Sequence, residues 1–189
     1  MTLLVDAAQE FVAFSRLHGW SCCIVGGLAL QHWGESRTTA DVDICLLTGL
    51  GTESAFLSPI LANFAPRIAN AHEFAERNRV LLLTATNRVG VDVALAWSPF
   101  EEKMLVRAVE REYEPGIMLP TATADDLIVT KAFAARPQDW VDVQGILVRQ
   151  RGRLDWNYIR RELSALCELK EAPEIVDELE RLREKLDAE

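Results

Sequence analysis

Asp41 and Asp43 stand one valine apart in the run ADVDICLL, and Asp92 lies inside GVDVALA. Both runs are otherwise apolar and suited to β-strands, and alternate side chains along a strand share a face. Asp41 and Asp43 therefore point one way, while Val42, Ile44 and Leu46 point the other. Asp92 shares its face with Ala94 and Ala96, opposite Val91, Val93, Leu95 and Trp97. If the two strands are neighbours, three carboxylates converge on one surface. Two like charges about 4 Å apart repel by about 4 kcal/mol at an effective dielectric near 20. Three such pairs approach about 12 kcal/mol, which rivals the roughly 5 to 15 kcal/mol that stabilises a whole domain. Something cationic must balance them. No lysine or arginine lies within either run, and an all-oxygen donor set suits Mg²⁺ or Mn²⁺. Two such ions bridged by carboxylates support in-line phosphoryl or nucleotidyl transfer.

Gly26-Gly27 supplies a second requirement. Glycines between a strand and a short helix leave backbone N–H groups unobstructed, and the helix N-terminus adds partial positive charge, so phosphates can settle there. A Gly-Gly pair alone is common in turns. One that precedes Asp-Val-Asp with thirteen residues between is a more specific signal.

The elements that must position these groups follow from periodicity. Residues 3–18 carry apolar side chains at helical spacing and end at Gly19. Ser21–Val25 reads as a strand, Gly26-Gly27 as a tight turn, and Leu28–Trp33 as a short helix. Asp41–Leu47 is a strand, and a helix over Glu53–Phe64 is expected to be interrupted near Ser58-Pro59. Arg79–Thr86 and Gly90–Trp97, joined by Asn87-Arg88-Val89, read as a hairpin. Ser98-Pro99 opens a helix through Val109, and Ile117–Leu119 is a short strand. Beyond Thr123 four helices are expected, over Ala124–Ala135, Gln138–Gln150, Asp155–Leu169 and Pro173–Leu186. The fold class is thus α/β (α+β): a small mixed sheet flanked by helices with a helical C-terminal extension. The expected division is 1–119 for the α/β core and 120–189 for the helical region. Ile175, Leu179, Leu182 and Leu186 form one stripe, too short for a coiled coil, which reads as packing on the same domain.

Composition narrows the partners. No run approaches the roughly 18 apolar residues of a membrane span, and acidic Asp6 and Glu10 stand early, so a cytoplasmic location without membrane association is expected. Cys22, Cys23, Cys45 and Cys167 form no CxxC pair, and His18, His32 and His72 are scattered, so zinc and redox chemistry have no support. The net charge of −9 argues against a protein that coats nucleic acid. The segment Glu168–Glu189 carries nine acidic and four basic residues, a net −5, which leaves −4 for the first 167. A local basic surface from Arg149, Arg151, Arg153, Arg160 and Arg161 therefore stays open beside the simpler reading of an ion-paired helical face.

Gly26-Gly27 and the run Arg37-Thr38-Thr39-Ala40-Asp41-Val42-Asp43-Ile44 resemble the signature of the DNA polymerase beta-type nucleotidyltransferase superfamily. The Arg-x-Thr-x-Asp-x-Asp form, with DDLIVTKAFAARPQDWVDV from Asp125 to Val143, is similar to the AbiEii-like nucleotidyltransferase toxins and their bacterial relatives. The resemblance spans Ile24 to Leu147. It implies that Asp41, Asp43 and Asp92 bind a pair of Mg²⁺ or Mn²⁺ ions, with Asp92 helping to activate an acceptor hydroxyl. It also implies that Gly26, Gly27, Arg37, Thr39 and Lys131 contact the NTP, with Asp139 and Asp142 near the site. Gly27 stands where many relatives have serine, so only backbone can serve the phosphate there. The implied activity is transfer of a nucleoside monophosphate from an NTP to a hydroxyl on RNA such as tRNA, a protein or a small molecule, with a cognate antitoxin or a second copy as macromolecular partner. Each residue also has a plainer reading: Lys131 as a solvated helix lysine, Asp139 and Asp142 as caps or partners of Arg136, Arg37 and Thr39 as loop-ordering groups. Two other functions compete. One is a catalytically silent interaction module, disfavoured by the three carboxylates together; the other is a metal-dependent phosphohydrolase, which would want histidines nearby.

Overall fold

The computed structural model describes residues 2–188. They form two compact units, one of residues 2–29 with 38–122, the other of residues 30–37 with 123–188. Among the described residues, every strand belongs to the first unit.

That unit opens with α1 (Leu3–Leu17), which buries Val5, Ala8, Phe11, Val12 and Ser15 at helical spacing. The short strand β1 (Cys22–Ile24) passes directly into α2 (Gly26–Trp33), so the helix begins at Gly26 rather than at Leu28. β2 (Asp41–Leu47) alternates half-buried Asp41 and Asp43 with fully buried Val42 and Ile44, as the strand period requires. α3 (Ser54–Asn63) then runs without a break through Pro59, contrary to the expected interruption. Its buried Leu57 and Ile60 straddle the proline, and this packing outweighs the hydrogen bond that Pro59 cannot donate.

Three elements were not anticipated. β3 (Ala65–Pro66) is too short to show alternation. α4 (Ala71–Asn78) buries only Ala71 and Ala75 from an otherwise polar run, and is bounded by Asn70 and Arg79, both in left-handed conformation. β6 (Val109–Glu114, VEREYE) is charged at four of its six positions, as befits an edge strand, and carries no apolar alternation to read. Between them lie the expected hairpin of β4 (Val80–Thr84) and β5 (Gly90–Ala96), then α5 (Pro99–Arg107). Ser98 and Glu101 close a reciprocal capping box at the start of α5. β7 (Ile117–Thr121) pairs with β6 and completes the sheet.

The strand order is β3-β4-β5-β2-β1-β7-β6. β2 pairs with β5 in parallel, and β1 with β7 in parallel; the remaining pairs are antiparallel. The central pair β2/β5 sets Asp43 beside Asp92 and Asp41 beside Gly90.

The second unit contains α6 (Ala124–Ala134), α7 (Pro137–Arg149), α8 (Trp156–Lys170) and α9 (Glu174–Asp187). α6 is its centre, burying Leu127, Ile128, Val129 and Ala132. α7, α8 and α9 pack against it, and the buried Ile175 and Leu179 of the α9 stripe face this unit's own core. Residues 30–37 are held to α7 by hydrogen bonds. Arg149 donates to the Gly34 carbonyl at 2.7 Å and Gln150 to the Trp33 carbonyl at 2.9 Å. Close approach reinforces them: a Cβ on Gly145 would stand 3.1 Å from the Glu35 backbone nitrogen. No helix among the described residues is long and apolar enough to cross a membrane.

Candidate functional site

The aspartates on β2 and β5 form one open face of the central sheet. Their side chains stay partly exposed, Asp41 by 42% and Asp92 by 30%, while the valines and isoleucine between them are fully buried. Two glycines clear the space above. Gly26 begins α2 at a φ of +61°, and a Cβ there would overlap the carboxylate of Asp43. A Cβ on Gly90 would likewise overlap the Asp41 carboxylate. The Gly27 N–H donates to Asp43 Oδ2 at 3.4 Å. Thr39 packs against Gly27, whose added Cβ would meet the Thr39 Cβ at 2.9 Å, and its hydroxyl donates to the Asp41 carbonyl at 3.1 Å. Gly26, Gly27, Thr39, Asp41, Asp43 and Asp92 thus come together in the first unit.

Sequence reasoning missed a residue here. The balancing charge was expected to be metal because neither strand run contains a base. Arg67, just beyond β3, reaches the same face: its Nη2 bonds Asp92 Oδ1, and its Nη1 lies 3.5 Å from Asp41 Oδ1. Its own N–H donates to the Leu82 carbonyl at 2.9 Å, and Leu82 is the register partner of Asp92, so the sheet itself places Arg67 there. The only signal in the sequence was the unmet demand for a cation, since the partner lies 25 residues from Asp92 in an aperiodic segment.

Arg37, Lys131, Asp139 and Asp142 lie in the second unit and form a separate network. Lys131 is 7% exposed; its Nζ donates to Asp142 Oδ2 at 2.6 Å and lies 3.7 Å from Asp139 Oδ1. Arg37 Nε donates to Asp142 Oδ1 at 3.1 Å, and Gln138 Nε2 to the same oxygen at 3.0 Å. Burial pushes the Asp142 carboxyl up, but the hydrogen bonds of Lys131 and Gln138, with the charge of Lys131 and the bond from Arg37, outweigh it and hold the group below the usual carboxylate value. Asp139 also pairs with Arg136 at 2.6 Å and accepts its backbone N–H, which caps α7. Lys131 is therefore not the solvated lysine of the plainer reading. A cleft of about 320 Å³ lies beside this network, lined by Glu35, Arg37, Gln138, Val141, Gly145 and Val148 among others.

Three of the five basic candidates are engaged within the helical unit: Arg149 donates to the Gly34 carbonyl, Arg160 pairs with Glu180 and Arg161 with Glu162, while Arg151 and Arg153 are exposed. The four cysteines are all free thiols. Cys23, Cys45 and Cys167 are buried, and burial pushes the Cys45 and Cys167 thiols up, away from nucleophilic use.

Whether the carboxylate face fits a divalent ion can be asked of its donors. All are carboxylate oxygens, the ligands that Mg²⁺ and Mn²⁺ take, and the two glycines leave the volume that the carboxylates of Asp43 and Asp41 occupy. The chemistry fits. Among the described residues, however, no three His, Cys, Asp or Glu side chains already stand as a metal-ligand cluster. Two of the aspartates are turned to Arg67 instead.

No family model matches the chain, and no curated protein sequence does. Solved structures do. The antibiotic-resistance factor ANT(2'')-Ia in complex with adenylyl-2''-tobramycin aligns at a TM-score of 0.54, with 12% identity over 89% of this chain and 99% of that one. An antigenic nucleotidyltransferase-like protein from Paracoccidioides brasiliensis aligns at 0.50, with 12% identity over 94% of this chain and 92% of that one. The fold is that of a nucleotidyltransferase. A solution structure of ANT(2'')-Ia aligns at 0.47, with 16% identity over 97% of this chain and 91% of that one. In this nucleotidyltransferase fold the mixed sheet carries the aspartates, and the C-terminal helices carry the Lys131 network.

Proposed function

We propose that the chain transfers a nucleoside monophosphate from an NTP to a hydroxyl acceptor, with Asp41, Asp43 and Asp92 at the reacting centre. The observation that supports this best is the parallel register of β2 and β5, which sets Asp43 beside Asp92 with Asp41 on the same face. These three carboxylates would hold Mg²⁺ or Mn²⁺. Bound there, the ions would lower the pKa of the attacking hydroxyl and neutralise the leaving pyrophosphate. The backbone of Gly26 and Gly27, at the N-terminus of α2, would receive the phosphates. Thr39 would keep that loop in register through its bond to the Asp41 carbonyl. The sequence resemblance implies Arg37 and Lys131 as further nucleotide contacts; within the second unit both donate to Asp142.

The adenylyl-2''-tobramycin held by a protein of this fold favours a small-molecule hydroxyl among the acceptors. RNA and protein hydroxyls are the other two acceptor classes. The Arg-x-Thr-x-Asp-x-Asp run and the segment 125–143 support a place near the AbiEii-like toxins, for which a cognate antitoxin or a second copy would be the partner. A catalytically silent module is the second reading, favoured by Arg67, which neutralises part of the aspartate face.

Incubation with each α-labelled NTP, Mg²⁺ or Mn²⁺, and separate pools of tRNA, protein and aminoglycoside tests both. Label is expected on one acceptor class with the native chain and on none with Asp43→Asn, whose fold circular dichroism should find intact. Label on no acceptor from any NTP would leave the silent module. Full transfer by Asp43→Asn would remove that carboxylate from the reaction.

A further inference from the structure

We infer that Arg67 is the resident counter-cation of the aspartate face and sets its affinity for divalent ions by competing with them for the same oxygens. The inference rests on the proposed metal-dependent transfer and adds a residue that neither sequence pattern nor resemblance indicated. Three observations carry it. The backbone of Arg67 is anchored by its N–H to Leu82, one strand away from Asp92, so its side chain lies across the sheet to Asp92 on β5 and Asp41 on β2. The guanidinium touches oxygens of two of the three carboxylates, which are the atoms a divalent ion would need. Gly90 makes room for this pose, because a Cβ there would stand 3.0 Å from Arg67 Nη1 as well as overlapping Asp41.

One positive charge against three carboxylates leaves the face undercompensated, so it still attracts cations. The ion pairs are open to water, Arg67 itself being 30% exposed, and pairs of that kind are weak and exchangeable. Arg67 can therefore withdraw on its flexible stem while its backbone stays in the sheet. Until it does, its charge opposes the entry of a second cation at contact distance. A triphosphate offers the displaced guanidinium another anion, so nucleotide and divalent ion are expected to bind better together than separately.

Calorimetric titration with Mn²⁺ alone, on the native chain, Arg67→Gln and Arg67→Lys, reads this directly. Arg67→Gln is expected to bind Mn²⁺ about thirtyfold more tightly, on the order expected for withdrawing one unit charge about 4 Å from a doubly charged ion in water. Arg67→Lys keeps the charge and should stay near the native affinity. Equal or weaker binding by Arg67→Gln, with the native chain binding normally, overturns the role of Arg67 and leaves the metal reading intact. Absence of Mn²⁺ binding from every form overturns the metal reading and this inference with it. A measurement without any substitution stands beside these: the Arg67 Nε–Hε resonance of the native chain should shift during Mg²⁺ titration with the same apparent Kd as binding. A resonance that stays in place while the ion binds overturns the exchange.

Discussion

An ammonium group as buried as that of Lys131 must be paired, because an isolated charge away from water costs far more than one contact returns. Asp142 is its closest partner, and also receives Arg37 and Gln138. Asp142→Asn would take away the closest carboxylate charge and leave Lys131 with the longer ion pair to Asp139 at 3.7 Å. We expect a loss of about 3 kcal/mol, the lower end for breaking a buried pair, measured by urea unfolding at neutral pH. Acid should reveal the same group. Folding holds the Asp142 carboxyl below its usual value, so the unfolded chain takes up the proton first as pH falls. Its stabilisation is complete above the unfolded value of about 3.9 and drains away as pH drops through the depressed folded one. Unfolding midpoints between about pH 5 and pH 2 should therefore fall less steeply for Asp142→Asn than for the native chain; parallel slopes would assign the acid sensitivity to other carboxylates.

At the scale of elements, the passage from β1 into α2 is the part of the fold where backbone and site depend on each other most closely. Gly26 adopts a φ of +61° and leaves the volume that the Asp43 carboxylate fills. Gly26→Ala combines left-handed strain, of about 1 to 3 kcal/mol, with a clash against the site. The thermal midpoint should fall and transfer should drop together, whereas a melting change with unaltered transfer would separate the turn from the chemistry. This turn was legible in the sequence because Gly-Gly between an apolar run and a helical one has few alternatives. The aspartate face was legible for the same kind of reason: a period of two assigns Asp41, Asp43 and Asp92 to faces before any pairing is known. Pairing itself was not, and the side-by-side placement of Asp43 and Asp92 required the register of β2 with β5. α4 and β6 escaped because a helix that buries two alanines and an edge strand of charges carry almost no hydrophobic periodicity. Arg67 escaped because ion pairs between segments far apart in sequence leave no local pattern.

For the whole molecule, the formal charge of −9 is unevenly spread, and the acidic excess gathers in the segment that contains α9. Of the arginines that could have formed a basic surface, Arg149, Arg161 and Arg160 are spent inside the helical unit on Gly34, Glu162 and Glu180. That pattern disfavours a long nucleic-acid footprint. The chain also passes more than once from one unit to the other. The backbone crosses between them at residues 29–30, 37–38 and 122–123, and the first of these crossings falls inside α2. Severing the chain after Ala122 would therefore amputate more than a tail. The stretch Leu30–Arg37 would lose Arg149, Gln150 and Gly145 beneath it, and Leu30, fully buried in the intact protein, would meet water. A fragment ending at 122 should unravel the far half of α2 and aggregate or melt early, whereas one that also lacks Leu30–Arg37, bridged by a short glycine-rich splice, should stay dispersed. Light scattering of the two fragments would tell whether this peptide is an orphan without its helices.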